Sequence, residues 1–196
     1  MPGKSVQESM DNWFVHHREG YKTFLRILFG VFWLVDAWFK WQPDFISNFA
    51  GNVSAAGSGQ PSFLSGWFSF WSGVVSVDPS LFAYMTAIIE TLLALGLLFG
   101  FARKLTYSLG TVFSFFVWSI PGGFGGPYTP GTTDIGSSIV YVIVFLFLLL
   151  VNATYGRSRQ SLDYYIEKKF PGWTRIAEFR HASEGSEYEV TASGMI

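Results

Sequence analysis

Arg26, Asp36, Lys40 and Glu90 stand inside otherwise apolar stretches, and their spacing points to proton chemistry in a non-aqueous setting. Glu90 lies near the middle of LFAYMTAIIETLLALGLLFGFARKL, residues 81–105, a run as long as the ~20 apolar residues a bilayer crossing needs. A carboxylate at mid-bilayer is costly, faces a bundle interior or a watery cavity, and is by default a functional-site candidate. Ala83, Ala87 and Ala94 share its helical stripe, so a neighbouring helix can approach closely there. Asp36 and Lys40 are four residues apart, share a face and can pair. Arg26 lies about one turn inside the same run, shallow enough for its stem to snorkel toward the headgroups. Gly30, Trp33, Ala37 and Lys40 continue the stripe that Arg26 begins, which makes it the face turned inward.

At 1.5 Å per residue, Asp36 falls about 7 Å below the outer end of its helix and Glu90 about 13 Å below the same surface. Packed side by side, the two helices bring both carboxylates into the outer half of one bundle. Lys40 and Asp134 stand nearer its mouth, and Trp67, Trp71, Phe124 and Tyr128 come over it from the outer loops. Such a pocket suits a quinone headgroup or a small apolar acid, held by ring stacking. A buried carboxyl there can exchange the protons that accompany quinone reduction. Glu90 and Asp36 are therefore the expected proton-handling residues. Arg26, Trp33, Lys40, Trp67, Trp71, Tyr128 and Asp134 are the expected ligand contacts. A purely structural role competes: Asp36–Lys40 as a neutralised pair that lets the helix insert, and Glu90 bonded to Trp33 or Ser114 to fix helix packing.

Four apolar spans must position these residues: 21–41, 81–101, 102–120 and 135–151. The second and third are joined at Arg103–Lys104, which demands an antiparallel hairpin. Residues 42–80 connect the first two with no Lys or Arg; 52–61 are Gly/Ser/Ala-rich and loop-like. Residues 62–77 place Phe63, Leu64, Trp67, Phe68, Trp71, Val74 and Val75 on one face, an uncharged amphipathic helix for the outer interface or a lid over the bundle mouth. Ser108, Ser114 and Ser119 in the third span can bond across helices. Residues 121–131, PGGFGGPYTPG, must be tight turns, and Asp134 is most simply the N-cap of the fourth span. Residues 1–20 read as a cytoplasmic tail. Residues 152–196 read as a second one, with an amphipathic piece at Leu162, Tyr165, Ile166 and Phe170 and disorder after Phe179. Every Lys- or Arg-bearing connection lies on one side, so the positive-inside rule puts both termini in the cytoplasm. The expectation is an all-α integral membrane protein: a four-helix bundle in the inner membrane with an outer interfacial helix.

Composition agrees. Hydrophobic residues are 49% of the 196 and charged ones 14%, well below the roughly 25% of soluble domains. The net charge of −1 and the lack of a basic stripe give no sign of nucleic acid. There is no cysteine, and His16, His17 and His181 all lie outside the spans. Haem between two histidines, iron–sulfur clusters and metal centres on the usual ligands are excluded, so a bound quinone or a partner subunit must carry any electrons. The adjacent His16–His17 pair lacks further ligands and reads as solvated.

The segments LRILFGVFWLVDAWFKWQPDFI, AIIETLLALGLLFGFARKLTYSLG and, most specifically, GGFGGPYTPGTTDIGSSIVYVIVFL resemble the DoxD/DoxX family of small four-helix membrane proteins over residues 25–151. The resemblance implies a membrane subunit of a thiosulfate:quinone oxidoreductase-like complex, which oxidises thiosulfate to tetrathionate and passes electrons to quinone. It also implies a second subunit, in the membrane or the periplasm, since that enzyme has two subunit types and this chain carries no region resembling the other. By position it points to Arg26, Asp36, Lys40, Glu90, Asp134 and the turn Gly126–Pro127–Tyr128. A non-catalytic anchor or assembly subunit of a larger redox complex is the rival expectation, with homo-oligomers allowed. A small-solute transporter is disfavoured because no inverted repeat or broken helix pair appears.

Overall fold

The computed structural model describes residues 3–128, 135–156 and 158–179, of which residues 3–12 and 14–16 are described by backbone alone. Every regular element among the described residues is helical. The first helix, α1 (Gly3–Lys40), runs 38 residues without a break, about 57 Å and nearly twice the hydrocarbon thickness of a bilayer. The expected boundary between a tail and a first span near residue 20 is therefore absent. Gly20 is the only weak helix former at that junction, and one glycine costs only about 1 kcal/mol. Arg26, Gly30, Trp33 and Ala37 are buried along one stripe, while Phe24, Phe32, Trp38 and Phe39 on the other sides are more than half exposed. A contiguous apolar surface of this size is what lipid or a second subunit covers.

The connection after α1 departs from expectation. It holds two helices, α2 (Pro43–Ala56) and α3 (Ser65–Val77), where one was expected, and the loop between them is confined to Gly57–Pro61 plus a short 3-10 turn, Ser62–Leu64. Pro43 opens α2 at its first position with Asp44 behind it, an N-terminal signature. Phe45, Phe49 and Val53 then repeat every four residues and turn onto the core. Residues 52–56, the first part of the stretch expected to be a loop, are instead the last turn of α2, where Ser54 Oγ and Ser72 Oγ of α3 meet at 3.0 Å. Phe63, expected on the apolar face of the same helix as Trp67 and Trp71, lies in the 3-10 turn before α3 begins and is 82% exposed.

Two helices, α4 (Pro79–Phe99) and α6 (Ser138–Tyr155), are long and apolar enough to cross a membrane. Between them α5 (Arg103–Ser119) is 17 residues long. Asp78 starts α4 by accepting a hydrogen bond from Leu81 N at 3.0 Å. The chain reverses over Gly100–Phe101–Ala102, where Gly100 at φ 64° and Ala102 at φ 46° are both left-handed. The reversal is as sharp as expected, but α4 and α5 do not stay together. Contacts are densest between α1 and α4 and between α5 and α6, and sparse between α4 and α5. Ala83, Ala87, Ala94 and Glu90 are all but sealed on the inner face of α4. On α5, Gly110 leaves the hollow that the Phe145 ring of α6 fills.

The interior has two apolar cores. The lower one gathers Phe29, Trp33, Leu93, Leu97, Tyr107 and Phe145, and the upper one Phe49, Val53, Val75, Ala83 and Ile120. Past α6, the segment 158–179 folds back over the α4–α5 joint as α7 (Leu162–Lys169) and α8 (Thr174–Ala177). Part of the expected cytoplasmic tail is thus an ordered closure of one end of the bundle. Residues 129–134, with Asp134 and the last of the Gly/Pro turns, and residues 180–196, expected to be disordered, lie outside the described residues.

Candidate functional site

Because α4 and α5 diverge beneath the α2–α3 pair, they border a half-open cavity of about 520 Å³, within the range of small-molecule sites. Phe45, Phe49 and Trp71 come from the α2–α3 pair, Phe82 from α4, and Phe113 and Phe116 from α5. Its polar edge is formed by Lys40 and Glu90, with Asn52, Thr86 and Ser138 elsewhere on the wall. The side chain of Glu90 is 1% exposed; its Oε2 lies 3.5 Å from Lys40 Nζ and has no hydrogen-bond partner among the described residues. Lys40 also donates to Asp36 at 3.0 Å. Asp36, Lys40 and Glu90 therefore form a row of two acids sharing one ammonium, with the innermost acid facing the cavity.

The level of this row differs from expectation. Lys40 was placed near the mouth and Glu90 well below it, yet the two are neighbours. The last turn of α1 stops at the height of Glu90, as Trp41 Nε1 donating to Thr91 Oγ1 at 3.0 Å also shows. The N-terminal part of α4, at Phe82 and Ala83, is covered by α2 instead. Helix lengths alone cannot reveal such an offset, because α1 overshoots at the other end. The carboxylates also do not face each other directly, since Lys40 stands between them and Asp36 is partly exposed.

The other expected contacts separate into groups. Trp71 lines the cavity, and its buried Nε1 has no hydrogen-bond partner among the described residues. Trp67 packs edge-on against Trp71 but spends its Nε1 on Ser119 O at 3.1 Å. Trp33 lies in the lower core against Phe29, Tyr141 and Phe145, bonded to neither Glu90 nor Ser114. Ser114 Oγ is likewise buried without a hydrogen bond among the described residues. Tyr128 is half exposed, donates to the Phe124 carbonyl and does not line the cavity. Arg26 belongs to the opposite end: its guanidinium donates to the carbonyls of Leu97 and Leu98 at the C-terminus of α4 and to Gln160 O at 2.8 Å. A cation there complements the helix dipole. Asp134 lies outside the described residues.

The sequence reading missed Phe45, Phe49, Asn52 and Val53, although Pro43 and the four-residue repeat of the aromatics signalled a helix. It also missed the second buried cluster. Asp163, fully buried, accepts from Ala102 N at 2.7 Å, Arg103 N at 2.9 Å, Arg103 Nε at 3.1 Å and Trp173 Nε1 at 2.8 Å. Glu178 takes the other arm of Arg103. Arg103 is 60 residues from Asp163 and 75 from Glu178, too far for any spacing rule. The cluster is saturated and borders only a narrow space of about 20 Å³, room for about one water.

Comparison with known proteins bears on this arrangement. A family model described as DoxX matches residues 21–120, which contain the whole Asp36–Lys40–Glu90 row and most of the cavity wall. The match ends before the GGPYTPGTTDIG stretch. No curated protein matches the chain. No solved structure matches it either. An apolar helical surface, two membrane-length helices and a family match over half the chain agree: this is a membrane protein, and it belongs to the DoxX family.

Proposed function

We propose that the chain crosses the inner membrane four times, with α1, α4, α5 and α6 as spans and both termini cytoplasmic, and binds a quinone or a similar apolar ring compound in the outer cavity. As a membrane subunit it then serves a quinone-linked oxidoreductase acting on sulfur compounds. The observation that carries this is Glu90, a sealed carboxylate on the wall of an aromatic cavity whose Oε2 has Lys40 Nζ at 3.5 Å and no hydrogen bond among the described residues. A buried acid held by one long ion pair has little to offset its desolvation, so a structural role explains it poorly. Quinone fits the wall: Lys40 Nζ and Trp71 Nε1 supply donors for carbonyl oxygens, and Phe45, Phe49, Phe82 and Phe116 supply ring contacts. When bound, quinone contributes two-electron, two-proton redox chemistry. Glu90 holds the proton nearest the ligand, Lys40 moderates its charge, and Asp36 connects the row to the partly exposed side.

The test is titration of the detergent-purified chain with a short-chain quinone, read by quenching of tryptophan fluorescence. Wild type is expected to saturate, and Glu90→Gln to weaken binding several-fold at unchanged helicity. An unaltered titration in the variant would remove Glu90 from the site. No saturation in wild type, with stoichiometric partner subunits copurifying, would leave a membrane anchor.

A further inference from the structure

The segment 158–179 is arranged against the usual logic of a surface tail. Its three acids, Asp163, Glu167 and Glu178, are all buried. Its four bases, Arg159, Lys168, Lys169 and Arg175, are all exposed. On α7 the inward side is Asp163 and Glu167, one helical turn apart, and the outward side is Leu162 and Tyr165 with Lys168 and Lys169. Phe170, Ile176 and Phe179 continue that exposed apolar surface. A helix facing water does the reverse, burying leucine and tyrosine and solvating its acids. Here Asp163 is consumed by Arg103, Trp173 and the start of α5, and Glu178 by Arg103. What is left outside is basic and apolar together.

The cations at this end also sit on aromatic rings: Lys104 over Phe179 at 4.8 Å, Lys168 over Tyr164 at 4.3 Å, Lys169 over Phe170 at 5.8 Å, and Arg18 and Lys22 over Tyr155 at 5.7 and 5.3 Å. Rings at headgroup depth with cations beside them match an anionic membrane surface, since the rings enter the boundary while the cations meet phosphate. A soluble polyanion would use the bases but leave Leu162, Tyr165, Phe170 and Ile176 in water.

We infer that α7 and α8 form a platform for anionic phospholipid, with Lys168, Lys169 and Arg175 taking headgroup phosphates and Leu162, Tyr165 and Phe170 entering the acyl boundary. The platform lies at the end of the bundle away from the cavity, and its test needs only the folded chain in detergent, so its failure leaves the quinone proposal standing. The experiment compares thermal unfolding of the full chain in a neutral detergent with added phosphatidylglycerol or phosphatidylcholine. Phosphatidylglycerol is expected to raise the midpoint by several degrees more than phosphatidylcholine, with the difference shrinking as salt is raised. Lys168→Glu/Lys169→Glu should abolish the difference while leaving the lipid-free midpoint within about a degree of wild type. Tyr165→Ser/Phe170→Ser should reduce it. Equal response to the two lipids, an undiminished difference in the charge-reversed variant, or an equal rise with soluble heparin in place of lipid would each overturn the inference. If the charge-reversed variant fails to fold, the milder Lys168→Gln/Lys169→Gln is read the same way.

Discussion

Glu90 and Asp163 are both sealed carboxylates beside cations, and they differ in how many donors reach them. Asp163 accepts four hydrogen bonds and neutralises Arg103, so it serves structure. Asp163→Asn keeps the shape but removes the charge from a buried pair, and it should lower stability by about 3 kcal/mol in thermal or denaturant unfolding in detergent. Glu90 has one ammonium, 3.5 Å from an Oε2 that receives no hydrogen bond among the described residues. Lys40→Met should therefore destabilise by about 2–3 kcal/mol, because it leaves the acid without its cation. Adding Glu90→Gln to that variant should restore most of the loss, since neither partner is then charged. A double-mutant cycle measures this coupling directly. A loss that persists in the double variant would mean that Lys40 acts by packing and not by charge.

Between elements, one glycine decides which helices pair. A Cβ on Gly110 would stand 2.3 Å from the Phe145 ring, so Gly110→Ala forces the fully buried Phe145 out of its hollow. We expect about 1–3 kcal/mol of destabilisation from overpacking, with α5 and α6 loosened while the α1–α4 pair holds. Hydrogen exchange resolved by helix would distinguish local from general loosening. On the other side, the α2–α3 pair roofs the cavity through Trp71. Trp71→Phe keeps an aromatic ring, though a smaller one, and removes the Nε1 donor that has no partner among the described residues. It should weaken quinone binding several-fold while lowering the unfolding midpoint only slightly, because removing an orphaned polar group partly offsets the packing lost with the smaller ring.

For the whole molecule, the absence of cysteine makes topology directly testable. Ser58→Cys in the exposed α2–α3 loop should react with a membrane-impermeant maleimide on intact spheroplasts. Ser193→Cys near the C-terminus should react only after permeabilisation. Reaction of both from the same side would contradict four crossings with inward termini. The charge pattern on which that orientation rests is the same one that leaves the α7–α8 end basic, whereas at the cavity end Lys40 is shared by two acids.

The sequence by itself determined the apolar solvent, the long apolar helices and the stripe. Runs of about 20 apolar residues suit only a bilayer or a deep core, and the spacing of Arg26, Gly30, Trp33 and Ala37 on α1 and of the alanines around Glu90 on α4 follows from 3.6 residues per turn, which local chemistry dictates. Offsets and partners were decided only by the tertiary structure. That α1 ends level with Glu90, that α5 leaves α4 for α6, and that Asp163 reaches Arg103 across 60 residues all depend on how side-chain volumes interlock between segments remote in the chain. The cavity is the space left by those choices; Glu90, Lys40 and Trp71 on its wall were legible in the sequence, and the wall that α2 supplies was not.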